Sequence, residues 1–356
     1  MADNIVSKAD ALKDTSRYYP SLRAYKTAFR LYKGKDQGRE LHCLLGIADT
    51  SRMTGNFQDA IEYYRKAIEL GRKLKDPSIV IDAGVGMGLG MRALGKWKTA
   101  LRLFSEAGSF YRRIKDREGI AFCLWAKAGT LRIKGDIYGA IRTFRDSLRA
   151  FTALRIESGI GYSLCGLGGV TRIKGLYKES FGYYSSANEL FRRLKDTFGI
   201  AYSHCGIGNA LRMKGDLEGA LIHLRRALRL YTKIGDTVSK AYTLWSMGKT
   251  HMLLGKYASS KKYLKDSMSL LKKTKDPRGV IYSRLGLSEL RFLSGKKGSA
   301  KTMLQLAFKE AETYGFLIEK CHARALLSFV LKKPYDRCYN KLGLKYRLRS
   351  IPFNIP

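Results

Sequence analysis

A single glycine recurs every 40 residues through most of the chain. Its seven positions follow one another without insertion or deletion: Gly55, Gly95, Gly135, Gly175, Gly215, Gly255 and Gly295. Small residues accompany each of them at fixed offsets, as Ala48, Ala60 and Ala67 do for Gly55. A fixed period of roughly 20–50 residues is typical of solenoids and related arrays. We therefore expect one repeat array, although a length of 356 residues would otherwise suggest two or three domains.

Each repeat is interpreted as two closely packed helices. The recurrent glycine suits the left-handed residue that ends a first helix. An acid is predicted to N-cap the next first helix in six repeats: Asp36, Asp76, Asp116, Asp196, Asp236 and Asp276. The exception is Ile156, where Glu157 and Ser158 suggest a cap one or two residues later. Second helices are predicted to be capped by Asn56, Asp136 and Asp216.

The two ends of the array depart from the repeat, as capping units do. Residues 1–35 are predicted to form N-terminal capping helices, and residues 36–315 hold the seven repeats. Residues 316–333 are predicted to form a C-terminal capping helix. Residues 334–356 are expected to be a basic, irregular tail that lies on the array or serves as a tether.

The pattern is clearest from Asp196 to Ala227, which reads DTFGIAYSHCGIGNALRMKG and then DLEGAL before Ala227. This resembles the tetratricopeptide repeat, in its variety of about 40 residues with an L-G-N-like run, across roughly residues 36–315. The resemblance implies an all-α, right-handed solenoid whose first helices line the concave side. It does not specify a function, because the family supplies scaffolds for many unrelated partners.

Two columns stand out on the stripe that the resemblance assigns to ligand contact. Taking Gly208 as the residue that faces the partner helix, steps of about 100° per residue place both columns beside it. We call the first the arginine column: Arg52, Arg92, Arg132, Arg172 and Arg212. The second is the aromatic column: Phe122, Tyr162, Tyr202, Tyr242 and Tyr282. With Trp125, Trp245 and Asn209, these residues are predicted to bind a ligand in the concave groove.

Structural explanations compete with this prediction. The arginines could complement helix dipoles or form salt bridges. The position four residues after each arginine holds an acid only at Asp136 and Asp216, however. The aromatic residues could pack between repeats, and the tryptophans could belong to the core. Only Asn209 matches the carboxylate-clamp version of the family, so a chaperone C-terminus is not the expected ligand.

Net charge shapes the prediction of a partner. The chain has 67 Lys or Arg and 30 Asp or Glu, which gives a formal charge of +37, of which +27 lies on residues 35–330. We therefore predict a non-catalytic scaffold whose basic groove binds an acidic or extended segment of a partner protein. The alternatives are a groove for single-stranded nucleic acid, or self-association.

The remaining chemistry is sparse. No nucleophile–base–acid set, cofactor motif or metal-ligand spacing is present, so we expect no catalytic residue, no cofactor and no metal. No apolar run reaches the ~18 residues of a membrane span, and the first residues do not read as a secretory signal. The six cysteines contain no CxxC pair, which favours a reducing, cytoplasmic location.

Overall fold

The computed structural model describes residues 2–334, 338–344, 346 and 350–356, and within them seventeen α-helices follow one another. The odd helices are α1 (Ala2–Asp14), α3 (Gln37–Met53), α5 (Pro77–Ala93), α7 (Arg117–Lys134), α9 (Glu157–Lys174), α11 (Thr197–Lys214), α13 (Thr237–Leu253), α15 (Pro277–Leu293) and α17 (Leu317–Val330). The even helices are α2 (Tyr18–Tyr32), α4 (Phe57–Lys73), α6 (Trp97–Arg113), α8 (Ile137–Ala153), α10 (Tyr177–Arg193), α12 (Leu217–Ile234), α14 (Tyr257–Lys273) and α16 (Lys297–Tyr314). The fold is an all-α solenoid. Residues 335–337, 345 and 347–349 of the predicted tail lie outside the described residues.

Helix contacts define the inner side of the solenoid. Every helix packs on the next one along the chain, and each odd helix also contacts the following odd helix. Within the described residues, no two even helices share comparable contacts. The odd helices therefore lie on the concave side, where neighbouring repeats come closest together.

Capping explains where most odd helices begin. All six acids predicted as N-caps accept a backbone N–H bond from the first turn of their helix, as Asp196 does from Gly199. Helix α9 starts at Glu157 without a side-chain cap at Ile156, so the predicted late cap is wrong. Asn56 also fails as a cap, because its amide donates to Thr54 instead. Asp136 and Asp216 cap α8 and α12 as predicted.

The recurrent glycine ends each odd helix from α3 to α15 in the left-handed conformation. Its φ angle is between +72° and +98° at all seven positions, which confirms the prediction. A second glycine column lets an aromatic ring of an even helix lie against the next odd helix. At Gly206, for example, an added Cβ atom would stand 2.1 Å from the ring of Tyr184. Much of the glycine excess therefore serves turns and close helix packing.

The two ends of the solenoid meet. Trp97 donates its indole N–H to the carbonyl of Tyr314 at 2.8 Å, and the Tyr19 hydroxyl lies 3.2 Å from that of Thr237. Nζ of Lys275 donates to the side chain of Gln58 at 2.6 Å. These contacts join residues more than 200 positions apart. The array therefore curves far enough for its first hairpins to pack against its last ones, which encloses the concave surface.

One disulfide departs from the sequence prediction. Cys321 of α17 is joined to Cys338, and their Cα atoms are 5.5 Å apart. The expectation of uniformly reduced cysteines is therefore wrong for this pair. The other four cysteines are free, including Cys165 and Cys205 of the shared column. The disulfide attaches the tail at Cys338 to α17, the last helix of the array.

Candidate functional site

The arginine column forms a continuous row along the concave surface. Nη1 of Arg92 extends over Gly129 of the next odd helix and donates to the carbonyl of Ala126 at 3.3 Å. Nη1 of Arg132 lies over Gly169 in the same manner, 2.6 Å from the place of an added Cβ atom. The glycines leave space for guanidinium groups close to the helix backbone. Arg92 and Arg132 therefore each span to the next repeat.

Arg52 is the member of the column with a salt bridge. Its guanidinium lies 3.7 Å from Asp49 and also donates to the hydroxyl of Tyr64. Burial acts to lower the pKa of Arg52, but Tyr64 and Asp49 outweigh it and raise that pKa above its ordinary value. The salt-bridge explanation therefore applies at this end of the column.

The other four arginines have no ion pair with an acid among the described residues. Burial, and then the charge of Arg132, lower the pKa of Arg92 to about 10. Burial, and then the charge of Arg172, lower the pKa of Arg212 to about 9. These neighbouring cations repel one another across the concave surface. An anion placed between them would relieve that repulsion.

The aromatic column mainly joins adjacent repeats. The Tyr162 hydroxyl donates to the Asp196 carboxylate at 2.6 Å, and its ring centroid is 4.8 Å from that of Phe191. Exposure falls along the column, from 37% at Phe122 to 5% at Tyr282. Because Asp196 is also the N-cap of α11, the hydroxyl of one repeat helps to fix the start of the next. Packing between repeats therefore accounts for much of this column.

Both tryptophans hold neighbouring repeats together. Each donates its Nε1–H to the main-chain carbonyl of the aromatic-column residue in the next repeat, at 3.2 Å for Trp125 and 2.9 Å for Trp245. The arginine-column residue of the preceding repeat lies over each indole ring, 5.6 Å from its centroid. Trp245 is buried, and Trp125 is partly buried. The tryptophans thus form the layer on which the arginines rest, through cation–π contacts.

The C-terminal segment 350–356 occupies one end of the groove. Arg212 donates to the side-chain oxygen of Asn354 at 2.5 Å and to the carbonyl of Ile355 at 3.0 Å. The Asn354 amide donates in return to the Arg212 carbonyl at 2.9 Å. The backbone N–H of Phe353 donates to Glu289 at 2.7 Å. The predicted tail therefore lies on the array, and its described end is buried in the concave surface.

A buried ion pair forms the floor beneath this segment. Lys249 and Glu289 bond to each other with both side chains fully buried, and Glu289 is the acceptor for Phe353. Burial lowers the pKa of Lys249, and Glu289 opposes that shift. Asn209 donates to the Cys205 carbonyl and lies beside Arg212. Asn209 therefore helps to orient Arg212 in this structure.

A cavity of about 200 Å³ lies beyond Pro356 in the same groove. Its charged side chains are Arg132, Arg172 and Arg278, and among the described residues no Asp or Glu side chain lines it. Arg278 has an acid partner, since its Nε lies 2.7 Å from Glu319. Nε of Arg132 and of Arg172 is buried without a hydrogen-bond partner. Hydroxyl groups complete the wall: Tyr184, Tyr202, Tyr231, Ser239, Tyr242, Ser246 and Tyr282.

The cavity is therefore rich in donors and carries two cations, Arg132 and Arg172, that pair with no Asp or Glu among the described residues. Burial raises the pKa of its tyrosines Tyr184 and Tyr282, so these hydroxyls are neutral donors at pH 7. Such a wall favours an anionic group over a neutral or cationic one. Elsewhere in the described residues, no cluster of three or more His, Cys, Asp or Glu could hold a metal ion.

The predicted site residues thus lie in three settings. Arg132 and Arg172 line the open cavity with Tyr202, Tyr242 and Tyr282, Arg212 contacts the C-terminal segment, and Trp125, Trp245 and Tyr162 join repeats. Sequence reasoning missed Lys249 and Glu289. The sequence signal that could have found them is a change of residue type, since the repeat column that holds glycine at Gly129 and Gly169 has charged residues at Lys249 and Glu289.

Sequence models of the tetratricopeptide repeat family match residues 160–233 and 41–74. The chain therefore contains tetratricopeptide repeats in these two segments. No curated protein sequence matches it significantly. No helix among the described residues is long and apolar enough to cross a membrane.

Solved structures with the same fold have low sequence identity to this chain. One is the Rap conjugation gene regulator of the plasmid pLS20 with the Phr* peptide, at 16% identity and a TM-score of 0.67, covering 88% of this chain and 95% of that one. Another is NprR with its cognate peptide NprX, at 17% identity and a TM-score of 0.59, covering 76% of this chain and 78% of that one. A third is aspartyl phosphate phosphatase F from Bacillus subtilis, at 12% identity and a TM-score of 0.55, covering 96% of this chain and 93% of that one. These similarities establish the fold of this chain.

Proposed function

We propose that this protein is a non-catalytic scaffold whose concave groove binds an extended peptide segment of a partner protein, with an acidic group in the cavity. One observation carries the proposal: the chain's own segment 353–356 already lies in the groove as a bound peptide would. Two similar structures, the Rap regulator and NprR, are complexes with peptides, which agrees with this use of the fold.

The contacts of the C-terminal segment show how a peptide would be held. Arg212 and Glu289 contact the backbone carbonyl of Ile355 and the backbone N–H of Phe353. Contacts of this type recognise the main chain, which bends here because the Ile355 N–H donates to the Phe353 carbonyl at 3.1 Å, and they tolerate different side chains. The Asn354 side chain, which bonds to both the guanidinium and the carbonyl of Arg212, adds one specific position. An external peptide would replace the C-terminal segment at these groups.

The cavity beyond Pro356 supports an acidic residue in the ligand. Arg132 and Arg172 lack acid partners there, and Arg binds planar carboxylates with two parallel bonds. A peptide that follows the path of residues 353–356 and continues past Pro356 would enter this cavity. A carboxylate at that point would bind between cations that otherwise repel each other.

The competing functions have less support. Stacking of single-stranded nucleic acid needs open aromatic faces, whereas Tyr162 and Tyr282 are engaged between repeats. Self-association is a prediction that rests on the charge balance of the sequence. The cytoplasmic location is also a proposal: the free thiols Cys43, Cys123, Cys165 and Cys205 agree with it, and the Cys321–Cys338 disulfide argues against it.

The test uses two labelled peptides that differ only in charge. Both copy residues 350–356 and are amidated, one ending in Glu-Glu and the other in Gln-Gln after the final proline. Fluorescence anisotropy with the full chain should show tighter binding of the Glu-Glu peptide, by about tenfold or more, because two charge-assisted contacts are gained. Replacing Arg132 and Arg172 by Gln should remove this difference between the peptides.

Two results would contradict the proposal. If neither peptide binds, even to a Phe353→Ala variant with a weakened C-terminal segment, the groove is not a peptide site. If both peptides bind equally, the peptide site stands and the acidic preference is wrong. Circular dichroism of the Arg132→Gln, Arg172→Gln variant is the matched control, because helicity should not change.

A further inference from the structure

The two kinds of turn in the array place different residues in the left-handed conformation. Turns that follow odd helices from α3 to α15 have glycine there every time. Turns that follow even helices have a cation at five positions, with φ between +54° and +59°: Lys75, Lys115, Arg155, Lys195 and Lys275. A left-handed residue other than glycine costs about 1–2 kcal/mol. Glycine would remove that cost at each of these positions.

Three turns of this class have glycine instead: Gly34, which is exposed, and Gly235 and Gly315. Gly235 lies against Tyr19, and Gly315 lies against Trp97, where the first hairpins meet the last ones. Lys275 bonds to Gln58 in the same region, although its side chain is exposed. The four consecutive turns at Lys75, Lys115, Arg155 and Lys195 are exposed. Exposure alone does not select a cation, since Gly34 is exposed too, but these four consecutive exposed turns all have one.

We define the basic edge as segments 72–75, 112–115, 152–155 and 192–195. These segments contain ten Lys or Arg and no Asp or Glu. Among the ten, Arg193 forms an ion pair, at 2.5 Å from Glu157, and the described residues show no other acid partner for them. The following acids Asp76, Asp116 and Asp196 are occupied as helix N-caps. The edge is thus a row of three basic clusters and the single cation Arg155 on four successive repeats.

Helix-dipole complementarity explains only part of this charge. Cations in the last helical turn, such as Arg72 and Lys73, are stabilising by about 0.3–1 kcal/mol. The left-handed residue lies beyond the last turn, so a lysine there adds strain without being required by the helix. The recurrence of strained cations at one exposed edge therefore indicates a use outside the fold.

We propose that the basic edge binds the phosphate backbone of nucleic acid without sequence preference. Neighbouring packed helices are about 8–10 Å apart, so clusters two helices apart are separated by roughly 16–20 Å. Duplex DNA presents one charge about every 1.7 Å along its axis, so every cluster meets phosphates whatever the register. An acidic protein would need carboxylates at matching intervals. This site is separate from the concave groove, and its partner is a polyanion.

The test replaces the four left-handed cations by glycine in the full chain: Lys75→Gly, Lys115→Gly, Arg155→Gly and Lys195→Gly. Glycine keeps the turn geometry and removes the strain, so the variant should fold at least as stably as the parent chain. Binding of a labelled 30-base-pair DNA of mixed sequence is followed by anisotropy at several salt concentrations. We expect at least tenfold weaker binding near 150 mM salt. The slope of log K against log salt should fall by about 3–4.

The control removes four exposed cations from the even helices of the same repeats: Arg65→Gln, Lys98→Gln, Arg142→Gln and Lys178→Gln. It has the same net charge as the glycine variant and should bind nearly as well as the parent chain. Equal loss in both variants would overturn the proposal, because net charge alone would then explain binding. Undiminished binding by the glycine variant, or binding of phosphatidylserine vesicles without any binding of DNA, would overturn it too.

Discussion

The arginine column behaves differently in two neighbouring regions of the groove. Arg212 is fully buried and bonds to Asn354 and Ile355 of the C-terminal segment, above the Lys249–Glu289 pair. In contrast, Arg132 and Arg172 border an open cavity and have no acid partner among the described residues. We call these regions the covered end and the open end. The same repeat position thus serves an internal ligand at one end and leaves its charge free at the other.

The comparison teaches that a repeated residue need not have a repeated role. At the covered end, the column that holds glycine at Gly129 and Gly169 changes to Lys249 and Glu289. Those charges neutralise each other and supply an acceptor for the backbone of Phe353. At the open end, the glycines leave space for the arginines and supply no counter-charge. The neighbouring repeat, and not the arginine itself, decides what the arginine can bind.

The largest expected effect concerns the buried pair of the covered end. Lys249→Met leaves Glu289 buried and unpaired, so the free energy of unfolding should fall by about 3–5 kcal/mol. The double variant Lys249→Met, Glu289→Met removes both charges and should be far closer to the parent chain. Urea denaturation of the three proteins measures this. If single and double variants lose the same stability, the pair does not control the covered end.

The next effect is a pH dependence at the same end. Burial, and then the charges of Arg278 and Lys249, lower the pKa of His322 from 6.5 to about 3. Because the folded-state pKa of His322 lies below the unfolded value, the unfolded chain takes up this proton first as the pH falls. The free energy of unfolding is therefore highest above pH 6.5 and decreases between pH 6.5 and 3, by up to about 1.4 kcal/mol per pH unit.

His322→Gln keeps a polar group near the Tyr339 hydroxyl and cannot titrate. The variant should lose less stability than the parent chain when urea denaturation is repeated from pH 7 to pH 4. His204→Gln is a useful comparison, since the pKa of His204 is also lowered, to about 4, on a partly exposed side chain. A parallel pH profile for His322→Gln and the parent chain would show that His322 is not held neutral.

Most of the fold follows from the sequence, because repetition averages over local uncertainty. Seven glycines in one phase locate the turns, and six acids locate the starts of odd helices. Ile156 is the single position where the recurring acid is missing, and Asn56 belongs to a column in which no residue type recurs throughout.

The candidate site was only partly predictable. The arginine and aromatic columns lie on the concave side, as the resemblance implies, but the position of segment 350–356 could not be inferred. Its contacts join Asn354 to Arg212 across 142 positions, outside the repeat, so no periodic pattern marks them. The Cys321–Cys338 disulfide was missed for a similar reason, since Cys338 belongs to no repeat. A periodic sequence pattern reveals only contacts that recur between neighbouring repeats, whereas each of these contacts occurs once.

The smallest effect should separate the two ends by its sign. Arg212→Gln removes charge-assisted bonds to Asn354 and Ile355 and should lower the free energy of unfolding by about 1.5–3 kcal/mol. Arg172→Gln removes a cation that repels Arg212 and should raise that free energy by roughly 0.5 kcal/mol. Urea midpoints of the two variants, compared with the parent chain, give both signs. Loss of stability in both would mean that Arg172 also has a structural anion at the open end. Opposite signs would show that Arg172 is kept for a ligand at the expense of stability.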